Sequence, residues 1–315
     1  MNEAGWQPED KAGSDFRSGF VAILGRPNAG KSTLLNTLAG AKIAIVADQP
    51  QTTRTTIQGV LTTDRAQIVF VDTPGIHQAD SAINQRMMDM VRAALNDRDL
   101  LLFVADAALG YKRADEDAIG LLQKVDTPAL LVLNKIDLLK DKSQLLPLID
   151  RYRALHDFAE YIPVSALNGQ NVDELRKVLV ARLPQGPAYF PPDHLTDQPE
   201  RFLAAELIRE KILQETRQEV PHAVAVLVDK WDEKPGLIRI FATIYVEKAG
   251  QKAIIIGAGG GKLKRIGVQS REEMERFFGK KIFLSLHAKV RPDWRQQPSF
   301  LDALDWRTMA GTDEK

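Results

Sequence analysis

The chain has 315 residues, 44% of them hydrophobic and 27% charged, with a formal net charge of zero. That length is too great for one compact core, so about two domains are expected, and neutrality excludes a cationic coat over the whole chain while leaving a local patch open. Cysteine is absent, which rules out disulfides, thiolate chemistry and zinc ribbons and fits a cytoplasmic setting.

In chain order, residues 1–18 mix proline, glycine and charge without an apolar run. They read as a disordered tail, neither signal peptide nor membrane anchor. No stretch approaches the ~20 apolar residues of a membrane-spanning helix. From Phe20 to Leu24 a short apolar run enters a Gly-rich loop, and similar runs recur at Ile68–Val71, Leu100–Ala105, Leu130–Leu133 and Ile162–Val164. Between them Asn84–Leu95, Asp115–Lys124 and Asp173–Leu183 carry helical spacing. Alternating β and α elements with doubly apolar strands predict an α/β domain over residues 19–183, a mostly parallel sheet with helices on both faces.

Residues 184–199 hold Pro184, Pro187, Pro191, Pro192 and Pro199, and a donor-poor, helix-breaking stretch of this kind predicts a linker and candidate hinge. The pattern then changes to helix (Arg201–Arg217), two strands (Ala223–Asp229, Leu237–Val246), a short helix, a glycine turn, a helix (Lys262–Phe278) and a strand (Ile282–Val290). That order predicts an α+β domain over residues 200–292. Residues 293–315 read as a weakly ordered C-terminal extension.

The segment Gly25-Arg26-Pro27-Asn28-Ala29-Gly30-Lys31-Ser32 fits the phosphate-binding pattern G-x-x-x-x-G-K-[ST]. Its glycines let backbone N–H groups close on phosphate oxygens at a helix N-terminus. Lys31 is expected on the β- and γ-phosphates and Ser32 on Mg²⁺, with Thr33 following in the same turn. Asp72-Thr73-Pro74-Gly75 ends a strand, where Asp72 can serve the metal and Gly75 can meet the γ-phosphate. Asn134-Lys135-Ile136-Asp137 ends another. There the Asp137 carboxylate can pair with the two N–H donors of guanine, which adenine lacks, and Lys135 can pack over the base. Ser165-Ala166-Leu167 ends a third strand and can offer backbone N–H to the guanine oxygen. All four lie on the rim where open α/β sheets bind ligands, so GTP and Mg²⁺ are the expected ligands.

These motifs resemble those of the translation-factor-related GTPases and, among them, of the Era family of bacterial GTPases. The resemblance implies that Pro50-Gln51-Thr52-Thr53-Arg54 is a first switch whose threonine completes the Mg²⁺ shell; Thr53 is favoured over Thr52, with the register left open. The position after Gly75, which in Ras-type GTPases holds a water-orienting glutamine, is Ile76. The resemblance implies K⁺ between the phosphates, held by Asn28; the other reading of Asn28 is a turn cap. Lys31, Thr53, Gly75 and Asn28 are thus the expected catalytic set of a slow, K⁺-stimulated GTPase. His77 is read as inert.

In the second domain Gly257-Ala258-Gly259-Gly260 forms a G-x-x-G turn, followed by Lys262, Lys264 and Arg265. Such a turn between two helices lets backbone approach a sugar-phosphate chain. From Ala242 to Arg291 there are eleven Lys and Arg against four Glu. The element order resembles a type II KH domain, although Ala258 and Gly259 stand where KH loops often carry a basic side chain. The pairing implies the Era role, assembly of the small ribosomal subunit. RNA near the 3′ end of its ribosomal RNA would bind at the turn under control of the GTP state. The chain is expected to be monomeric and cytoplasmic, with loose association at the inner face of the cell membrane as an added expectation. The rival reading is a switch acting on a membrane or protein partner, the second domain serving as a docking module.

Overall fold

The computed structural model describes residues 15–49, 51–76, 80–217 and 220–309. Residues 1–14 of the expected tail, Pro50, His77 and residues 310–315 lie outside the described residues. Residues 15–18, expected to belong to that tail, are instead ordered, with Phe16 and Ser18 buried and the first strand starting at Arg17, because an apolar side chain and strand pairing tie them to the sheet. The chain divides into two compact units, one built from residues 15–44, 53–76 and 87–197 and the other from 45–52, 80–86 and 198–309.

In the first unit the elements run β1 (Arg17–Leu24), α1 (Lys31–Ala39), β2 (Ile57–Thr62), β3 (Ala66–Asp72), α2 (Ala82–Ala93), β4 (Leu100–Asp106), α3 (Arg113–Leu122), β5 (Ala129–Asn134), α4 (Leu145–Arg153), β6 (Glu160–Pro163) and α5 (Val172–Arg182). The six strands order as β2-β3-β1-β4-β5-β6, with β2 antiparallel to β3 and the remaining pairs parallel. Successive strand residues feed opposite faces. Val21, Ile23, Leu102 and Val132 enter one core, which α1 and α5 cover; Ala22, Leu24, Phe103 and Leu131 enter the other. Strands buried on both faces are what the continuous apolar runs require. Because β1 is flanked by β3 on one side and β4 on the other, the chain winds outward in both directions and opens a crevice at the C-terminal end of β1.

Two elements were not legible. Strand β2 is a polar-flanked edge strand, stabilised by its partner more than by its own pattern. Helix α4 contains Pro147, but the proline falls in the first turn, where its missing N–H has no intrahelical partner to lose.

The proline-rich stretch differs from a free linker. Gln67, fully buried in β3, accepts N–H bonds from Tyr189 (2.7 Å) and Phe190 (2.9 Å) and donates to the Phe190 carbonyl (2.8 Å). Val60 donates to Leu195 O, and the Thr196 hydroxyl to Gln58 O. The strap is therefore hydrogen-bonded along the exposed edge of the sheet, and the division between units falls after residue 197. Proline fixes φ without forbidding such side-chain and carbonyl pairing, so composition alone overstated its freedom.

The second unit contains α6 (Glu200–Glu215), α7 (Val220–Ala223), β7 (Ala225–Lys234), β8 (Leu237–Val246), α8 (Ala249–Ile256), α9 (Gly261–Phe278), β9 (Lys281–Val290), α10 (Pro298–Ala303) and α11 (Trp306–Met309). Its sheet orders β7-β8-β9, antiparallel then parallel. Leu207, Ile208 and Ile212 of α6 pack with Ile240 and Ile244 of β8 and with Ile266 and Met274 of α9. The apolar residues of Phe202–Leu213 are all buried. Residues 45–52 belong to this unit: Ile45 enters its core, Glu210 accepts the Val46 N–H at 2.8 Å, and Arg209 donates to the Thr52 carbonyl.

Up to residue 309 the C-terminal extension is ordered where a loose tail was expected. Trp294 is fully buried and donates its indole N–H to Ala223 O (2.9 Å), and Phe300 packs edge-on against Tyr245. A tryptophan and a Phe-Leu pair in a short terminal segment are the signal that could have revealed it, since large apolar groups stabilise only when buried.

Candidate nucleotide site and nucleic-acid groove

The loop after β1 is held open for an anion. Gly25 has φ 142, and a Cβ there would meet Val104 O at 2.3 Å; Gly30, with φ 89, precedes the first residue of α1 and carries no side-chain cap. The N-terminal N–H groups of α1 thus face the loop without a side-chain acceptor, the arrangement that binds phosphate. The Lys31 ammonium folds back onto the carbonyls of Gly25 (3.1 Å) and Arg26 (2.9 Å). Burial pushes its pKa down to about 8, with Asp72 countering. Arg26 forms a buried ion pair with Asp115 at 2.7 Å, anchoring the loop to the start of α3.

Beside Lys31 three oxygen-bearing side chains converge. The Ser32 hydroxyl donates to Asp72 Oδ2 at 2.7 Å and lies 2.8 Å from Thr53 Oγ1. Among the described residues the other Asp72 oxygen, Oδ1, is buried with no hydrogen-bond partner, and burial pushes this carboxyl up to about 6. Thr52 behaves differently: its hydroxyl donates to the carbonyls of Gln49 (2.6 Å) and Ala47 (3.2 Å). Gly75 closes the site, for a Cβ there would lie 2.7 Å from Pro27. Ile76 is buried in the apolar core with Leu24 and Met88, so its side chain has no access to a reacting water.

At the far end Asn134 ties three segments together. Its Nδ2 donates to Ala29 O (2.9 Å) and its Oδ1 accepts the Ala166 N–H (2.9 Å). Asn134 is thus a strut inside the site, and the Ala166 N–H expected to face guanine is engaged by it. Lys135 has left-handed backbone (φ 66) and an ion pair to Asp106 at 2.7 Å. Asp137 and Leu167 are exposed on the rim, and Ser165 is buried beneath them. Asp106 was missed by sequence reasoning. It ends β4 on the same rim as the motifs, which was the available signal.

In the second unit α8 ends at Gly257 (φ 71), and the turn continues through Gly259 (φ 56) and Gly260 (φ 76) into α9. A Cβ at Gly259 or Gly260 would meet nothing within 4 Å, so the turn faces open space. Behind it lies a groove of about 400 Å³ between α9 and β9, lined by Leu263, Lys264, Val268, Arg271, Leu284 and Leu286. Of the expected RNA-contacting cations, Lys264 lines this groove, while Arg265 pairs with Glu215 at 3.2 Å. Arg271 and the apolar lining went unassigned from sequence. The i, i+4 spacing in α9 and the alternation in β9 carry that information only once the two elements are known to be adjacent.

Residues 20–135 match the family model described as 50S ribosome-binding GTPase, and residues 219–295 match that of the KH domain. The chain is 52% identical over 288 residues to the GTPase Era of Syntrophus aciditrophicus (strain SB), covering 91% of this chain and 94% of that protein. The chain belongs to the Era family of GTPases. The Era protein of Lactobacillus delbrueckii subsp. bulgaricus is 49% identical, covering 93% of this chain and 97% of its own. A crystal structure of an Aquifex aeolicus Era variant bound to GDP·AlF4⁻ superposes with a TM-score of 0.89 at 39% identity, covering 92% of this chain and 99% of that one. Era in complex with MgGDPNP and nucleotides 1506–1542 of 16S ribosomal RNA superposes with a TM-score of 0.90 at 39% identity, with the same coverage. This Era-family chain is a P-loop GTPase domain followed by a KH domain, and it hydrolyses GTP.

The donor set of this Era-family site fits Mg²⁺. The ion prefers hard oxygen ligands, and a buried carboxylate with one unpartnered oxygen beside two hydroxyls supplies them. Ser32, Thr53 and Asp72 would hold it, directly or through water. When bound, Mg²⁺ neutralises charge on the β- and γ-phosphate oxygens. Lys31 would add a second positive charge there, exchanging its bonds to the Gly25 and Arg26 carbonyls for phosphate. No helix of the described residues is long and apolar enough to cross a membrane.

Proposed function

We propose that this chain is a GTP-hydrolysing switch that binds the 3′-end region of small-subunit ribosomal RNA through its G-x-x-G groove and assists assembly of the 30S subunit in the cytoplasm. The observation that carries the reading is the open glycine turn leading into an apolar, cation-edged groove, in a chain whose relative was solved with MgGDPNP and 16S ribosomal RNA. Single-stranded RNA is read by splaying bases into such grooves while backbone approaches the sugar-phosphate chain.

In this reading Lys31, Ser32, Thr53, Asp72 and Gly75 handle the phosphates and metal, while Lys135, Asp137 and the Ser165–Leu167 loop select guanine. The 2.8 Å approach of Thr53 to Ser32 supports Thr53 over Thr52 as the switch threonine. The division of the chain between Thr52 and Thr53 puts one peptide bond between the metal-side threonine and a residue held by Arg209. That supports a GTP state that biases the RNA-binding unit.

Crosslinking in cells, with bound RNA sequenced, tests this reading for wild type and Gly259→Asp. Aspartate tolerates the left-handed backbone at φ 56 and meets no neighbour, so the substitution adds a negative charge in the turn without disturbing the fold. Reads concentrated at the 3′ end of small-subunit ribosomal RNA, falling at least about tenfold in the variant, are expected, because like-charge juxtaposition of the carboxylate with phosphate costs several kcal/mol. A flat wild-type profile would refute the assignment.

Hydrolysis is slow and K⁺-stimulated in this proposal. Ile76 is buried and cannot orient water, and Asn28, exposed on the loop with φ 61, offers an amide oxygen of the hard type K⁺ takes. Charge stabilisation at the transferring phosphate is worth about 10²-fold or more. Turnover in KCl is therefore expected to exceed that in NaCl at equal ionic strength by roughly tenfold or more. Equal rates would remove K⁺ from the mechanism.

A further inference from the structure

The KH sheet has a second face. In β8, Ile238, Ile240, Ala242 and Ile244 point into the core, so Arg239 and Phe241 point away from it. In β9, Leu284 and Leu286 line the groove, which puts Phe283 on the opposite face. The Tyr245 end of this outer face is covered by Phe300. The other end is open: Phe283 is 46% exposed, although it is a large apolar side chain on an edge strand.

Here Arg239 lies between two rings, its guanidinium carbon 5.4 Å from the Phe283 centroid and 5.9 Å from that of Phe241. The rings are themselves 5.8 Å apart. Asp232 stands opposite Arg239 in register on β7, yet Arg239 forms no ion pair among the described residues. Its N–H donors are therefore not taken up by a carboxylate. Lys230, paired in register with Phe241, is an exposed cation beside the cluster, and Lys289 of β9, in register with Tyr245, is another farther along the same face. The acidic residues there are Asp232 and Asp229, which accepts from the Thr243 hydroxyl. Cross-strand packing alone would account for two phenylalanines side by side. It does not account for a guanidinium left without a carboxylate partner between the exposed Phe283 ring and the half-buried Phe241 ring.

We propose that Arg239, Phe241 and Phe283 form a second single-stranded RNA site, a stacking platform on the outer face of the KH sheet. A base stacks on Phe283, the guanidinium plane extends the platform, and Arg239 and Lys230 meet the phosphates. The occupant is nucleic acid because the face offers π-surfaces and net positive charge together, and a polyanion with stackable bases complements both. Since β9 is the edge strand and contributes Leu284 and Leu286 to the groove and Phe283 to the platform, a strand leaving the groove reaches the platform by turning over one edge. This rests on the reading of the domain as RNA-binding and extends its footprint.

The test is fluorescence anisotropy of the full chain with a labelled oligoadenylate of about 24 nucleotides, comparing wild type, Phe283→Ala, Phe283→Trp, Arg239→Gln and Gly259→Asp. One lost base stack weakens binding about tenfold. Phe283→Ala and Arg239→Gln are therefore expected to raise Kd by about that factor, Phe283→Trp to restore it, and Phe283→Ala with Gly259→Asp to weaken binding multiplicatively. Circular dichroism and the thermal midpoint check that the exposed substitutions leave the fold intact. Full affinity in Phe283→Ala and Arg239→Gln, with loss confined to Gly259→Asp, would overturn the platform while leaving the groove standing. No RNA binding by any form, wild type included, would overturn both readings. Sedimentation velocity showing a wild-type dimer dispersed by Phe283→Ala, with RNA affinity unchanged, would assign the face to self-association and also overturn the proposal.

Discussion

Replacing Asp137 by asparagine is expected to lower GTP affinity by a factor on the order of 10³ and to create affinity for xanthosine triphosphate. The argument is a count of donors and acceptors. Guanine presents two N–H donors on the edge that an acceptor-only carboxylate matches. Each hydrogen bond to a charged group is worth about 1.5–3 kcal/mol, so two give roughly 10²- to 10⁴-fold. Asparagine turns one acceptor into a donor and places it against a guanine N–H, whereas xanthine presents a carbonyl there. Asp137 is exposed on the rim and Asn134, not Asp137, ties the loops together, so the substitution leaves the scaffold in place. Titration with fluorescent GTP and XTP analogues reads the outcome directly. Unchanged GTP affinity would mean that guanine is recognised elsewhere.

Gly30→Ala is expected to weaken nucleotide binding by about 100-fold through the scaffold. A Cβ at residue 30 would lie 2.3 Å from Asn134 Nδ2, and φ there is 89, outside what alanine adopts without strain. The amide cannot step aside freely, because its Nδ2 holds Ala29 O and its Oδ1 holds the Ala166 N–H. Strained backbone costs about 1–3 kcal/mol, and a broken buried hydrogen bond adds about 1 kcal/mol, together near the 2.7 kcal/mol that 100-fold represents. Isothermal calorimetry with GDP measures the loss. Gly259→Ala provides the contrast: with nothing within 4 Å of its Cβ, GDP affinity is expected to stay within twofold.

The buried aspartate and lysine of the phosphate site show how function and stability oppose each other locally. Asp72 and Lys31 are held in a nearly dry environment that raises the one pKa and lowers the other. Each is a charge awaiting a counter-charge, the lysine a phosphate and the aspartate a cation, so ligand binding relieves a desolvation that folding imposed.

The sequence by itself determined the nucleotide chemistry and the order of the two domains. A phosphate loop is short, needs glycine for its backbone and lysine for its charge, and sits at a strand-to-helix junction that periodicity reveals. Continuous apolar strands likewise betrayed the buried parallel sheet, and the G-x-x-G turn with its flanking lysines marked the second domain. What only the tertiary structure decided concerns residues whose role depends on a distant neighbour. Asn134 reads as a base-facing motif residue but is a strut, because Ala29 and Ala166 are brought to it by three separate strand ends. The proline-rich stretch 184–199 reads as a linker, yet Gln67, a polar residue within an apolar strand, holds its Tyr189 and Phe190 against the sheet. Trp294 read as part of a loose tail until Ala223 supplied an acceptor for its indole. Ile76 was seen to lack a glutamine's chemistry, but only packing with Leu24 and Met88 removes it from the site altogether. Local patterns follow from the period of helix and strand, which a chain carries along its length. Hydrogen-bond partners far apart in sequence are set by which elements the fold makes adjacent, and no local period records that.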